Sequence, residues 1–195
     1  MSALKYKVIL VILFLSWNSK AQNQLDFGIN AQKSYGFIWE NGITMAYSSP
    51  NILKKRIQVG AYFLSSSLGS AYSSNAVRQE QAVLFGRYFF VKRLDKTPIL
   101  QPFGQLNIGY IKAHFIQKYF EDVPSQSALL SLQLGVQGTI NERYNLLGSV
   151  AYNSISGNGV KGLGSIYPLF FQFSFTYAFN LVPMFNKNDE NDAAE

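Results

Sequence analysis

The chain has 195 residues, of which 48% are hydrophobic and 15% aromatic, while only 14% carry a charge. Ordinary soluble domains have about 25% charged residues, so this chain lacks charge rather than having an excess of apolar residues. The length fits a single domain, and the absence of cysteine excludes disulfides, thiolate metal sites, cysteine nucleophiles and a lipidated cysteine.

Residues 1–21 have the layout of a secretory signal peptide. Two lysines precede an apolar run from Val8 to Leu15, and small residues lead to a cleavage site after Ala21. The run is shorter than the about 20 residues of a membrane-spanning helix, which disfavours an uncleaved anchor. Cleavage would remove three lysines and leave 14 basic against 11 acidic residues. With so little net charge, no nucleic-acid partner is expected.

From Leu25 onward the chain alternates apolar with polar or small residues, a period typical of strands with two unlike faces. The fourth segment is the least regular, because Val83 and Phe85 share a face with Arg87 and only the charge assigns that face to the interior. In the last segment an aromatic face alternates with Gln, Ser, Thr and Ala. The eight apolar faces lie within residues 25–31, 43–47, 57–63, 82–90, 106–110, 130–136, 146–152 and 171–179.

The composition of the polar faces distinguishes a membrane barrel from a soluble barrel or sandwich. These faces carry Gln, Asn, Ser, Thr and Gly, and Asp26 and Arg87 are the only clear charges at central strand positions, whereas a water-facing surface would carry many Lys and Glu. In hydrocarbon every backbone group must pair within a closed barrel. The sequence therefore predicts an all-β fold, an eight-stranded antiparallel up-and-down transmembrane β-barrel over residues 22–180. A flexible acidic periplasmic tail is predicted over 181–195.

A transmembrane helix is the competing interpretation of residues 165–185, which contain no charge. Pro168 and Pro183 bracket this segment, and a helix would scatter its polar residues around the axis instead of grouping them. A strand is favoured.

Predicted connection lengths orient the barrel. Those after odd-numbered strands span 10, 15, 15 and 13 residues, and the others span 8, 7 and 4. Outer-membrane barrels combine long extracellular loops with short periplasmic turns, which places both termini in the periplasm of a Gram-negative bacterium. The long connections are 33–42, 65–79, 112–126 and 154–166, and the short ones are 49–56, 92–98 and 141–144.

These features resemble the small outer-membrane β-barrels of the OmpA and OmpX type and the barrel proteins of Bacteroidota type. The resemblance covers about residues 22–180 and rests on the Lys20-Ala21-Gln22 boundary, the eight alternating strands and the aromatic last strand. It implies a lipid bilayer and lipopolysaccharide around the barrel, and insertion by the outer-membrane assembly machinery. The family's C-terminal aromatic residue is matched most nearly by Phe179, after which this chain continues.

The leading functional hypothesis is a structural or binding protein, because eight strands enclose a lumen that side chains fill and so exclude a general porin. Loops on a rigid scaffold commonly carry binding residues. A narrow conduit for small solutes is the alternative. The loop candidates for contacting an extracellular or envelope protein partner are Tyr35, Trp39, Tyr72, Tyr119, Phe120 and Tyr167.

Asp26 and Arg87 are predicted to form an ion pair inside the lumen. A charge in a narrow lumen is costly unless it is paired, and both residues are placed toward the periplasmic end. A structural role is favoured over a gating role.

Catalytic, cofactor and metal sites are not predicted. Residues 157–162 match G-x-G-x-x-G, but no helix follows to complete a phosphate site. His114, the only histidine, has Glu121 and Ser125 nearby in sequence, and the spacing shows no Ser-His-acid geometry. A lipid-modifying enzyme that uses His114 is therefore ranked third, after the binding protein and the conduit.

Overall fold

The structure, a computed structural model, describes residues 23–34, 39–49, 56–68, 77–91, 100–115, 126–140, 143–156 and 169–181. The predicted signal peptide and the predicted tail beyond Leu181 lie outside these ranges.

Eight antiparallel strands form a closed barrel in which each strand pairs with the next and β8 pairs with β1. A short 3-10 turn, Ser66–Leu68, follows the third strand. Within the described ranges no helix is both long and apolar enough to cross a membrane. The predicted fold class is confirmed. The strands are β1 (Asn23–Ser34), β2 (Trp39–Ser48), β3 (Ile57–Ser65), β4 (Val77–Phe89), β5 (Leu100–Phe115), β6 (Gln126–Ile140), β7 (Tyr144–Ser156) and β8 (Leu169–Leu181).

Closure depends on the pairing of the first and last strands. Their register runs without interruption from Asn23 opposite Leu181 to Ser34 opposite Phe170. The ladder groups of both strands therefore pair within the barrel, which removes the exposed edges that an open sheet would have. Within residues 165–185, for which a transmembrane helix was the alternative interpretation, Leu169–Leu181 form β8.

The two faces of the wall are inverted relative to a water-soluble barrel. Leu132 and Leu134 on β6 are each 66% exposed, whereas Gln133 between them is 2% exposed. The irregular β4 follows the same rule, since Leu84 is exposed while Arg87 is buried. The apolar side chains thus cover the outside and polar side chains fill the lumen, as a lipid-facing wall requires.

Gly28 and Gly42 are among the lumen-facing glycines at which the backbone of a neighbouring strand approaches closely. A Cβ at Gly28 would overlap the carbonyl oxygen of Phe175, and a Cβ at Gly42 would overlap that of Phe63. Backbone atoms cannot turn aside as a side chain can, so only glycine allows the wall to bend this tightly.

Alanine substitutions test this close approach. We expect Gly42→Ala to destabilise the barrel by about 1–3 kcal/mol through overpacking. The matched control is Gly86→Ala, because a Cβ there meets no atom within 4 Å, and its effect should stay within about 0.5 kcal/mol. Urea unfolding of both variants in lipid vesicles measures the difference. Equal effects of the two alanines would contradict the close approach at Gly42.

The first connection is shorter than the sequence predicts. β1 continues to Ser34 and β2 begins at Trp39, so residues 35–38 join them instead of 33–42. The inward alternation of both strands simply continues, and Lys33 lies opposite Trp39 with its Nζ 5.4 Å from the indole centroid. The predicted strict alternation of long and short connections is therefore wrong at its first member, and it also fails at the β4–β5 connection, because residues 90–99 are as many as residues 116–125 between β5 and β6.

Candidate functional site

The candidate site is the polar interior of the barrel, which we call the lumenal network. Its members are buried side chains that project inward from all eight strands, because the period of two places alternate residues on that face. Buried amides predominate over charged groups. The network includes Asp26, Gln32, Glu40, Gln58, Gln79, Gln81, Arg87, Gln105, Asn107, Ser131, Gln133, Gln137, Ser149 and Gln172.

Asp26 on β1 is 2% exposed and is held by two glutamine amides. Gln24 Nε2 donates to Asp26 Oδ1 at 2.6 Å, and Gln58 Nε2 donates to Asp26 Oδ2 at 2.6 Å. Donors on both carboxylate oxygens offset part of the cost of removing the charge from water.

Arg87 on β4 lies buried among three amide oxygens. Its Nη1 donates to Gln58 Oε1 at 2.7 Å and to Gln137 Oε1 at 3.1 Å, and its Nε donates to Gln105 Oε1 at 2.7 Å. The guanidinium carbon is 4.6 Å from the ring centroid of Phe103, within the range of a cation–π interaction.

Gln58 connects the two charges that the sequence singles out. Its amide nitrogen donates to Asp26 and its amide oxygen accepts from Arg87. The sequence predicts an ion pair of Asp26 and Arg87, and the structure adds a bridging amide that contacts both groups. The polarity of the amide is fixed by the charges on either side, so Gln58 is held in one orientation.

The network continues around the inside of the barrel from β5 to β8. Gln105 donates to Asn107 at 2.6 Å and to Gln133 at 2.8 Å. Gln133 in turn donates to Ser149 and to Gln172. A continuous series of hydrogen bonds thus joins Asp26 on β1 to Gln172 on β8 by way of β3, β4, β5 and β6.

Glu40 is a lumenal charge that the sequence interpretation missed. It is 1% exposed and accepts hydrogen bonds from Gln32 at 3.2 Å, Gln79 at 2.8 Å and Gln81 at 2.8 and 2.9 Å. The sequence places Glu40 in the 33–42 connection, whereas the structure makes it the second residue of β2 and a third lumenal charge beside Asp26 and Arg87. The missed signal is the alternation of β2, which places Glu40 on the same face as buried Thr44 once the strand is extended to Trp39.

Of the six loop candidates for partner contact, only Trp39 lies within the described residues. Trp39 is the first residue of β2 and half-buried, rather than a loop residue. Tyr35, Tyr72, Tyr119, Phe120 and Tyr167 lie outside the described residues. His114 belongs to β5, opposite Arg78, while Glu121 and Ser125 lie outside the described ranges.

The arrangement suits filling the lumen better than it suits a reaction. Within the described ranges each inward carboxylate is hydrogen-bonded by glutamine amides, which are neither nucleophiles nor bases. Apolar groups complete the filling beside the polar ones. The apolar lumenal cluster consists of Ala46, Tyr62, Leu64, Val83, Phe85, Ile111 and Leu129.

Comparison with known proteins gives a fold and no sequence relative. No protein-family model matches the chain, and neither does any curated protein. The N-terminal β-barrel domain of OprF from Pseudomonas aeruginosa is similar with a TM-score of 0.58 at 12% identity, covering 82% of this chain and 100% of that one. The Neisserial surface protein NspA is similar with a TM-score of 0.50 at 12% identity, covering 84% and 98%.

The outer membrane protein OprG from Pseudomonas aeruginosa gives a TM-score of 0.46 at 13% identity, over 84% of this chain and 98% of that chain. At such identities structural similarity reports the fold alone. The closed barrel and its inverted faces agree with the OprF and NspA similarities. The chain thus has the fold of the small eight-stranded β-barrels of bacterial outer membranes.

Proposed function

We propose that this protein is an outer-membrane β-barrel of a Gram-negative bacterium that acts as a structural or binding protein and does not conduct solutes. The observation that carries the proposal is the lumenal network, whose buried side chains come from all eight strands and are hydrogen-bonded to side chains on neighbouring and next-but-one strands. We assign residues 1–21 to a signal peptide that directs export, and we assign both termini to the periplasm.

The outer wall supports membrane insertion. A transmembrane β-strand needs about 9–11 residues, and the eight strands have 9 to 16. Exposed leucines, isoleucines and phenylalanines cover the wall outside. In water such a surface would drive aggregation, whereas in a bilayer it replaces lipid–lipid contacts. Bilayer lipid and lipopolysaccharide are therefore the proposed surroundings.

The hydrogen bonds inside the lumen support the proposal that the barrel does not conduct solutes. Arg87 is hydrogen-bonded to amides from β3, β5 and β6, and Gln133 is hydrogen-bonded to side chains from β5, β7 and β8. A solute would have to break several of these hydrogen bonds at once, and the released buried groups would remain without partners. This favours the binding hypothesis over the narrow conduit.

Binding is assigned to the loops opposite the termini. A closed rigid barrel leaves its loops as the variable surface, and aromatic side chains give large contact areas at low entropic cost. Tyr72, Tyr119, Phe120 and Tyr167 remain the proposed contacts with an extracellular or envelope protein, together with Tyr35. The assembly machinery would recognise the aromatic end of β8, where Phe179 is exposed. We assign the protein no enzymatic activity.

Two measurements on the full chain test the proposal. We expect a folded band that shifts on boiling in gel electrophoresis after refolding into vesicles, because a closed barrel resists detergent until heated. In planar bilayers we expect no discrete conductance steps, because the lumenal network fills the interior. Recovery as a monomer that is soluble without detergent would contradict membrane insertion, and steady single-channel currents would establish the conduit in place of the closed barrel.

A further inference from the structure

Two arginines at one end of the barrel have matching surroundings. We call this end the terminal rim, since it carries Asn23, Leu181 and the connections β2–β3, β4–β5 and β6–β7. Arg56 lies in the β2–β3 connection and Arg143 in the β6–β7 connection. They sit four strands apart, on opposite sides of an eight-stranded barrel.

The two arginines have two hydrogen bonds in common. Arg56 Nη1 donates to the hydroxyl of Tyr88 at 3.4 Å, and Arg143 Nη1 donates to the hydroxyl of Tyr177 at 3.3 Å. In both cases the arginine carbonyl oxygen accepts from the backbone N–H of the residue after the tyrosine, at 2.8 and 2.7 Å. The backbone bond fixes the arginine and the side-chain bond orients its guanidinium. We call Arg56 with Tyr88, and Arg143 with Tyr177, the rim pairs.

An aromatic residue two positions after each tyrosine completes the repeat. The rings of Tyr88 and Phe90 meet edge-on with centroids 5.9 Å apart, and those of Tyr177 and Phe179 do so at 4.7 Å. All four rings lie on the outer face, where aromatic residues mark the boundary between hydrocarbon and headgroups. Each guanidinium is thus held at headgroup level.

An apolar groove begins beside each rim pair. The first has a volume of about 810 Å³, includes Tyr88 and Ile57, and lacks side chains at Gly86 and Gly104. The second, of about 550 Å³, includes Ile140 and Leu146 on either side of the turn that holds Arg143. It likewise contains two outward glycines, Gly138 and Gly148. Each cation therefore adjoins a groove on the lipid-facing wall.

We propose that the rim pairs are two binding sites for anionic phospholipid, in which the guanidinium binds the headgroup phosphate and the glycine groove seats an acyl chain. A guanidinium has five N–H donors in a planar fork that suits phosphate oxygens. Among the described residues one guanidinium nitrogen of each rim arginine donates a hydrogen bond. An acyl chain is the occupant because the groove is apolar and opens onto hydrocarbon.

The charges of the residues that precede each arginine in the sequence differ between the two proposed lipid sites. Lys54 and Lys55 precede Arg56 in the sequence, whereas Glu142 precedes Arg143. The Arg56 site is therefore the one that should depend more strongly on negative headgroup charge. This inference rests on the proposed membrane insertion and adds a lipid class and a location.

Retention of lipid by the full chain tests the sites. The protein is folded into vesicles containing equal amounts of phosphatidylcholine and phosphatidylglycerol, extracted gently, and analysed by native mass spectrometry. We expect phosphatidylglycerol to be retained preferentially, and Arg56→Gln to lower that preference by about fivefold, the factor for one cation at an anionic surface. Arg143→Gln should have a smaller effect, and the double variant should abolish the preference.

Three further variants separate headgroup, groove and general charge. Gly86→Leu fills the first groove without removing a charge, and it should reduce retained lipid of both kinds. Tyr88→Phe keeps Arg56 but frees its guanidinium, and it should weaken the preference only in part. Lys112→Gln removes an exposed cation near the end of β5 opposite the terminal rim, and it should leave the retained lipid unchanged. An effect of Lys112→Gln equal to that of Arg56→Gln would overturn the site.

Two controls identify the ligand and isolate the inference. Displacement of the lipid by inorganic phosphate would overturn the assignment to a lipid in favour of a free anion, whereas retention in its presence supports it. Heat-modifiable mobility of every variant reports barrel insertion separately. If that mobility is present but retention does not depend on Arg56, the lipid sites fail while the proposed membrane function stands. If the wild type itself lacks that mobility, the membrane function fails and the lipid sites with it.

Discussion

Arg87→Met is expected to destabilise the barrel by about 3–5 kcal/mol, because it leaves the Asp26 carboxylate buried without its counter-charge. Asp26→Asn should cost a similar amount by leaving the guanidinium uncompensated. Glu40 does not replace Asp26 as the counter-charge of Arg87, since among the described residues Glu40 accepts its hydrogen bonds from Gln32, Gln79 and Gln81. Urea unfolding in vesicles, followed by the fluorescence of Trp39, measures each free energy of unfolding.

The double variant decides whether the charges interact. With both removed no buried charge is left unpaired at that level, so the loss should be clearly smaller than the sum of the two single losses. Simple additivity would show that Asp26 and Arg87 are independent.

The same cycle in a Gln58→Met background tests the bridge. The Gln58 amide contacts Asp26 at 2.6 Å and Arg87 at 2.7 Å, so the coupling energy should fall when that amide is absent. An undiminished coupling would mean that the two charges interact directly. The bilayer conductance of the Asp26→Asn, Arg87→Met double variant is a second measurement, because loss of both charged groups from the lumenal network is the change most able to open the lumen.

Leu132→Arg is expected to cost about 2–4 kcal/mol, because Leu132 faces outward near the middle of β6 and a cation there would lie at the bilayer midplane. It is 66% exposed in the barrel, so the cost comes from lipid exposure and not from overpacking. The matched control is Ile140→Arg at the end of the same strand. Ile140 also faces outward, and at the interface the cost should fall to about 0–1 kcal/mol.

The comparison of Leu132→Arg with Ile140→Arg measures depth on one face of one strand. Unfolding in vesicles gives both free energies under identical conditions. If Ile140→Arg were the more damaging variant, β6 would not be centred in the bilayer as the wall predicts. If neither variant cost anything, the outer face would not contact lipid.

The sequence by itself determined the strands and their faces. A period of two needs only local order, because successive side chains on a strand point to opposite sides. Leu132 and Gln133 could therefore be assigned to opposite faces from their positions alone. The scarcity of charge likewise indicated that the polar face was not in water, and Arg87 alone was enough to orient β4 correctly.

Only the tertiary structure decided which side chains meet. Glu40 was missed because the extent of β2 depends on its pairing with β1, where Lys33 lies opposite Trp39. The bridging role of Gln58 was invisible because it joins residues 32 and 29 positions away on two other strands. The rim pairs join residues 32 and 34 positions apart. Alternation fixes the side of the wall on which a residue lies, whereas its partners are fixed by register and closure, which no local pattern encodes.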